Sequence, residues 1–257
     1  MPGMDRDLVL EALSTLTNAS VKCLDPGEST DSELTVYNFI STTFNYTVDS
    51  VNVVASLLKK IALGSSEMDH LHNELFVDME NFFDPIYDYD FRNMTDSSEC
   101  SRGGEPYKRP VGWYRFALKV KNKYPDGNAW LGSIGWRTQS EPGEWPVSFH
   151  GTTIEGAKGI ARLHFKAGDR CAYGRGIYST PDITIAKGYT KTFISKKTGK
   201  TYKVIMQNRI NPQKRKITVK PGFWLIPVPE GTTAEQEKEI VESSIRPYGI
   251  LIKEVTQ

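Results

Sequence analysis

The spacing of apolar residues changes character near Pro110, and this break constrains the fold more than any single motif. Before it, apolar residues recur at helical spacing. After it they gather in short runs bounded by Gly, Pro, Asn and Asp, the pattern of strands and turns. The charges divide at almost the same place. Met1 to Glu105 carries 6 Lys/Arg against 19 Asp/Glu, a balance of −13, and Pro106 to Gln257 carries 26 against 12, a balance of +14. The net charge of +1 therefore hides a strongly dipolar chain.

In the acidic part, Val9, Leu13 and Leu16 predict a helix from Asp5 to about Leu16. Thr30-Asp31-Ser32-Glu33 has the form of a capping box and predicts a second helix with Leu34, Tyr37, Ile40 and Phe44 on one face. A third is predicted from about Thr47 to Gly64, and a fourth from Ser65 or Ser66 with Leu71, Leu75, Met79 and Phe82 inside. Together they read as a small acidic helical bundle over residues 1–83, followed by a linker over 84–110 with Tyr87, Tyr89 and Phe91 as anchors. His70 and His72 are two apart on that fourth helix, face different ways, and read as surface residues.

Residues 111–257 predict an α+β domain. Strands are expected over Arg115–Val120, Val147–Phe149, Ile177–Ser179, Tyr202–Asn208, Lys216–Val219, Phe223–Ile226 and Gly249–Ile252, with a hairpin tip at Lys196–Lys200. Helices are expected over Ile154–Ala161, over Ile183–Thr190, and from Thr232-Thr233-Ala234-Glu235 onward with Ile240, Val241 and Ile245 inward.

With 257 residues the chain can bury a sizeable core. Cys23, Cys100 and Cys171 have neither disulfide-framework nor metal-ligand spacing, which points to a reducing, intracellular compartment, cytoplasmic or nuclear, and to no metal. The triplets at Asn18, Asn45 and Asn93 match the glycosylation pattern, but the acidic N-terminus predicts no signal peptide to expose them. No run approaches the roughly 20 apolar residues of a membrane span.

One stretch concentrates chemistry. A short apolar strand ends on Phe149-His150-Gly151-Thr152, so an imidazole, a bare backbone and a hydroxyl share one strand end. Gly174-Arg175-Gly176-Ile177-Tyr178 and Ala186-Lys187-Gly188-Tyr189 then bring two aromatic rings, enough to enclose a flat heterocycle. In this order and spacing the three pieces resemble the signature of ADP-ribosyltransferases of the diphtheria-toxin and poly(ADP-ribose) polymerase type, over roughly Trp113 to Val255.

That resemblance implies a split antiparallel β-sheet ADP-ribosyltransferase fold, preceded by the small all-α region, with NAD as co-substrate in the cleft between the sheet halves. It implies that His150 and Tyr178 are catalytic. His150 would bond a ribose hydroxyl of NAD, Gly151 the nicotinamide carboxamide, and Thr152 would approach the adenosine ribose. Tyr178 and Tyr189 would enclose the nicotinamide, and Arg170 would face the pyrophosphate. The family's third residue, a glutamate, would fall at Pro221 to Phe223, where nothing is acidic. The resemblance therefore implies mono-ADP-ribosylation of a protein acceptor rather than polymer synthesis. A rival alignment places the acid at Glu239 or Glu242 on a predicted helix, and Ala186 stands where many relatives have serine. Two other readings stay open: a non-catalytic NAD or ADP-ribose-binding module, and an enzyme modifying nucleic acid through the basic region 187–216. That region could equally face the acidic helices of the same chain, which would then restrain access to NAD.

Overall fold

The computed structural model describes residues 5–25, 27–43, 74–95, 100–135, 137–151 and 174–255. The elements in chain order are α1 (Arg6–Thr17), β1 (Ser20–Cys23), β2 (Glu74–Val77), α2 (Met79–Phe82), β3 (Tyr89–Asp90), β4 (Cys100–Arg102), β5 (Glu105–Tyr107), β6 (Tyr114–Ala117), β7 (Val147–His150) and β8 (Gly176–Ser179). They continue with α3 (Ile183–Ala186), β9 (Lys191–Ile194), β10 (Thr201–Ile210), β11 (Lys216–Ile217), β12 (Trp224–Pro227), α4 (Ala234–Glu242) and β13 (Ile245–Glu254). The class is α+β, with mostly antiparallel sheets and an N-terminal helix. No helix among the described residues is long and apolar enough to cross a membrane.

Helix α1 follows its sequence signals. Asp5 caps it by accepting from the Leu8 N–H, and Asn18 ends it in the left-handed conformation at φ 56°, which asparagine tolerates better than most residues. Its inner face is Val9, Ala12, Leu13 and Leu16. Helix α4 carries a reciprocal box, with the Thr233 hydroxyl accepting from the Gln236 N–H and the Gln236 side chain accepting from the Thr233 N–H.

The rest of the predicted helical bundle is corrected where it is described. Of the expected fourth helix, the described residues Glu74–Val77 form strand β2, parallel to β1, with Leu75 and Val77 buried. Asp78 then accepts from the N–H groups of Glu80 and Asn81 and starts the single turn of α2. Leu75, Met79 and Phe82 do share a spacing of helical type, but the cap at Asp78 divides them, and Leu75-Phe76-Val77 satisfies its backbone on β1. The expected capping box at Thr30–Glu33 is also displaced. Glu33 bridges to Phe76, and the reciprocal bonds form instead between Thr35 and Asn38, before a helical stretch at 39–43. The all-α region is thus a mixed α/β one among the described residues. The predicted helices at 47–64 and 154–161, with His70, His72 and Cys171, lie outside them.

The predicted linker is structural. β3 joins the main sheet beside β6, Phe91 is buried, and β4 and β5 form a hairpin. The main sheet has the order β3-β6-β13-β10-β7, with β9 pairing the other half of the long strand β10. A second antiparallel sheet has the order β11-β12-β8. Alternation along the strands gives the main sheet two apolar faces. On one, Val204, Met206, Ile250 and Ile252 share a continuous core with Val9, Leu13 and Leu16 of α1. On the other, Ile205 and Leu251 pack with Trp113, Val147 and Phe149.

Candidate active site

The two sheets meet where β7 ends. Phe149 and Thr180 exchange backbone hydrogen bonds of 2.8 and 3.0 Å, a single bridge that stitches β7 to the end of β8. Beyond this seam the strands join different sheets, and His150 and Tyr178 sit at the point of divergence. His150 Nδ1 lies 2.5 Å from the Tyr178 carbonyl oxygen. A carbonyl only accepts, so Nδ1 carries the proton and Nε2 is left as an acceptor. Burial lowers the imidazole pKa below its ordinary value, and the nearby Lys191 charge adds to that effect against the Tyr178 bond. The ring is neutral at pH 7.

Two glycines of the motif have steric reasons. A Cβ on Gly151 would lie 2.3 Å from the Tyr189 carbonyl oxygen, so only a bare backbone lets the Lys187–Tyr189 turn close against the end of β7. A Cβ on Gly176 would lie 2.0 Å from the Ile226 carbonyl oxygen, at a φ of +154°. This position thus fixes how closely β8 pairs with β12. Asp182, accepting from Thr184, caps α3, which carries the chain round to Tyr189.

The structure therefore brings His150, Gly151, Tyr178 and Tyr189 to one place as two neighbouring pairs: His150 on the Tyr178 backbone, Gly151 on Tyr189. The Tyr178 hydroxyl donates to the Gly174 carbonyl at 2.7 Å. Tyr189 meets Phe223 edge to face with ring centroids 5.8 Å apart, which sets the turn before β12 beside the site. That turn is Pro221-Gly222-Phe223, without a carboxylate. Glu239 and Glu242, the rival acids, are on helix α4 and not on β12. Ala186 is buried in the cluster that holds Phe149 and Ile183. Thr152 and Arg170 lie outside the described residues.

Arg175 is a clip rather than a solvated side chain: it ion-pairs with Glu237 of α4 at 2.9 Å and donates to the Pro229 carbonyl. Lys191, in sequence only one cation of a basic run, is the residue that sequence reasoning missed. Its Nζ donates to the Thr15 carbonyl at the end of α1 at 2.9 Å, and burial brings its pKa down to about 8. Its position two residues after Tyr189 was the only available signal. Much of the remaining basic run is engaged within the molecule. Lys197 pairs with Asp5 and Asp7, the Lys196 N–H donates to Glu11, Lys200 pairs with Glu254, and Arg209 and Arg215 pair with Glu144 and Glu105.

No protein-family model matches this sequence, and no curated protein matches it. Among the described residues no group of His, Cys, Asp or Glu is arranged to hold a metal ion.

Proposed function

We propose that this protein is an NAD-dependent mono-ADP-ribosyltransferase acting on a protein acceptor. The observation that carries the reading is the convergence of His150, Gly151, Tyr178 and Tyr189 at the seam between two antiparallel sheets. A planar carboxamide needs one donor and one acceptor at close range, which an unencumbered Gly151 backbone supplies. The rings of Tyr178 and Tyr189 flank a flat leaving group, and stacking contributes about 1 kcal/mol per ring. Nε2 of a neutral His150 accepts from a ribose hydroxyl.

In the reaction the bond from nicotinamide nitrogen to ribose C1′ breaks with its electron pair going to the ring, which loses its positive charge. The acceptor attacks C1′ through an oxocarbenium-like state and releases its proton. With no carboxylate at Pro221–Phe223, this set of groups suits transfer of one ADP-ribose rather than chain extension. The same absence favours a second reading, a module that binds NAD or ADP-ribose without cleaving it.

Release of nicotinamide from NAD, with and without candidate acceptors, separates the two. The enzyme reading expects release, lost more than about 100-fold in His150→Ala and at least about fivefold in Tyr178→Ala, the effect of one stacked ring. NAD that raises the melting temperature but is never cleaved supports the binding module. Turnover unchanged by both substitutions removes the site assignment.

A further inference from the structure

The Trp113 face of the main sheet, opposite the one to which His150 projects, holds a groove of about 610 Å³. Its size is that of a small-molecule site. Its wall alternates guanidinium and aromatic planes. The Arg115 carbon centre lies 5.7 Å from the Phe91 ring and 5.5 Å from Tyr248, and Arg209 lies 5.3 Å from the other guanidinium's partner ring, Tyr248. Stacked in this way, guanidinium groups keep their N–H edges available for an oxyanion.

Arg209 is already committed to Glu144 and to the carbonyls of Trp145 and Leu131. Arg115 is not. It makes one hydrogen bond, to the Tyr87 carbonyl at 3.0 Å, its buried Nε–H has no acceptor, and no carboxylate ion-pairs with it among the described residues. The groove also carries Arg102, Arg109 and Lys121, against the carboxylates of Asp84 and Asp88. Asp88 accepts from the Ala117 N–H and the Tyr114 hydroxyl and acts on Arg115 through its charge without an ion pair, and the lining still holds more cations than carboxylates. The lining also includes Ile86, 79% exposed, and Ile134, 73% exposed, together with Tyr87.

We propose that this groove is a second ligand site, for a phosphorylated flat-ring metabolite of nucleoside-diphosphate size. The phosphates meet Arg115, and the ring lies between Ile134 and Tyr87. Phosphate alone would leave Ile86 and Ile134 unused, and an uncharged nucleoside would leave Arg115 unmet. The inference does not rest on the NAD reading, because it uses none of the residues at the seam.

The test is calorimetric titration of the full chain with ADP, inorganic phosphate and adenosine. The expected result is that ADP binds at least about tenfold more tightly than either fragment. That binding should persist in His150→Ala and weaken at least about tenfold in Arg115→Gln. Because Arg115→Gln could unsettle the sheet, Ile134→Asp provides the second variant: it puts a negative charge at an exposed lining residue and should weaken ADP binding without lowering the melting temperature. Binding that is unchanged in both Arg115→Gln and Ile134→Asp, that disappears in His150→Ala, or that inorganic phosphate matches, overturns the proposal.

Discussion

At the scale of single residues, the seam depends on which groups are bare, neutral or unbranched. His150 is held neutral by burial, with its proton on the side of the Tyr178 carbonyl. On the NAD reading, nicotinamide release is level through neutral pH and declines only below the ordinary imidazole value of 6.5. The stability contribution has the same sign. A depressed folded-state pKa means the unfolded chain binds the proton first, so the His150 contribution is complete above 6.5 and is lost as pH falls through the folded value. Comparing acid unfolding of the wild type with His150→Gln checks this, and equal profiles would remove it. Gly151→Ala is expected to push Tyr189 away from the end of β7, since the added methyl would sit 2.3 Å from a backbone oxygen that cannot rotate aside. NAD affinity should fall at least about tenfold, equivalent to 1.4 kcal/mol, measured by titration calorimetry.

At the scale of elements, the loop between β6 and β7 is fixed by a buried charge cluster. The Glu144 side chain is fully buried and accepts from Arg209 at 2.9 Å, from Arg137, and from the Glu141 N–H. Burial pushes its carboxyl pKa up, but the hydrogen bonds of Arg137 and the charge of Arg209 outweigh that and leave it lowered. Breaking such a cluster from one side leaves uncompensated cations behind. Glu144→Ala should therefore cost about 3–5 kcal/mol, read from urea unfolding, with β7 the first strand to lose amide protection. A cost below about 1 kcal/mol would show the cluster to be incidental. The strand β2 teaches a related point. Its residues fit a helical stripe and a strand equally well over a few positions, and the Asp78 cap together with the backbone of β1 decides between them.

At the scale of the whole molecule, helix α1 and the strands of the main sheet share one core, and the contrast in charge is spent across it. Lys197 meets Asp5 and Asp7, the Lys196 N–H meets Glu11, and Lys191 ties the end of α1 to the neighbourhood of Tyr189. A fragment starting near Gly104 would lose α1, β3 and the apolar cover over Val204, Met206 and Ile252. It is expected to lack a cooperative thermal transition, whereas the full chain melts once. A fragment that melts cooperatively and turns over NAD faster than the full chain would instead support a restraining first part. Leu13→Ala in the intact chain should cost about 2–5 kcal/mol, as for other fully buried leucines.

The sequence by itself determined the local features whose causes are local. Asp5 opens α1, the Thr232–Glu235 stretch opens α4 with its box formed by Thr233 and Gln236, the Lys196–Lys200 turn makes the β9–β10 hairpin, and the apolar runs at 147–149, 177–179 and 202–208 are strands. Each is written in propensity, capping or alternation over a few residues. The order of motifs also singled out His150, Gly151, Tyr178 and Tyr189. Only the tertiary structure decided that residues near 20 and 75 pair in parallel, that the stretch after Phe83 is part of the sheet, and that Lys191 belongs beside the seam. Those outcomes depend on which distant backbone groups satisfy one another and on how a shared core closes, and neither is encoded at the range over which a periodicity can be read.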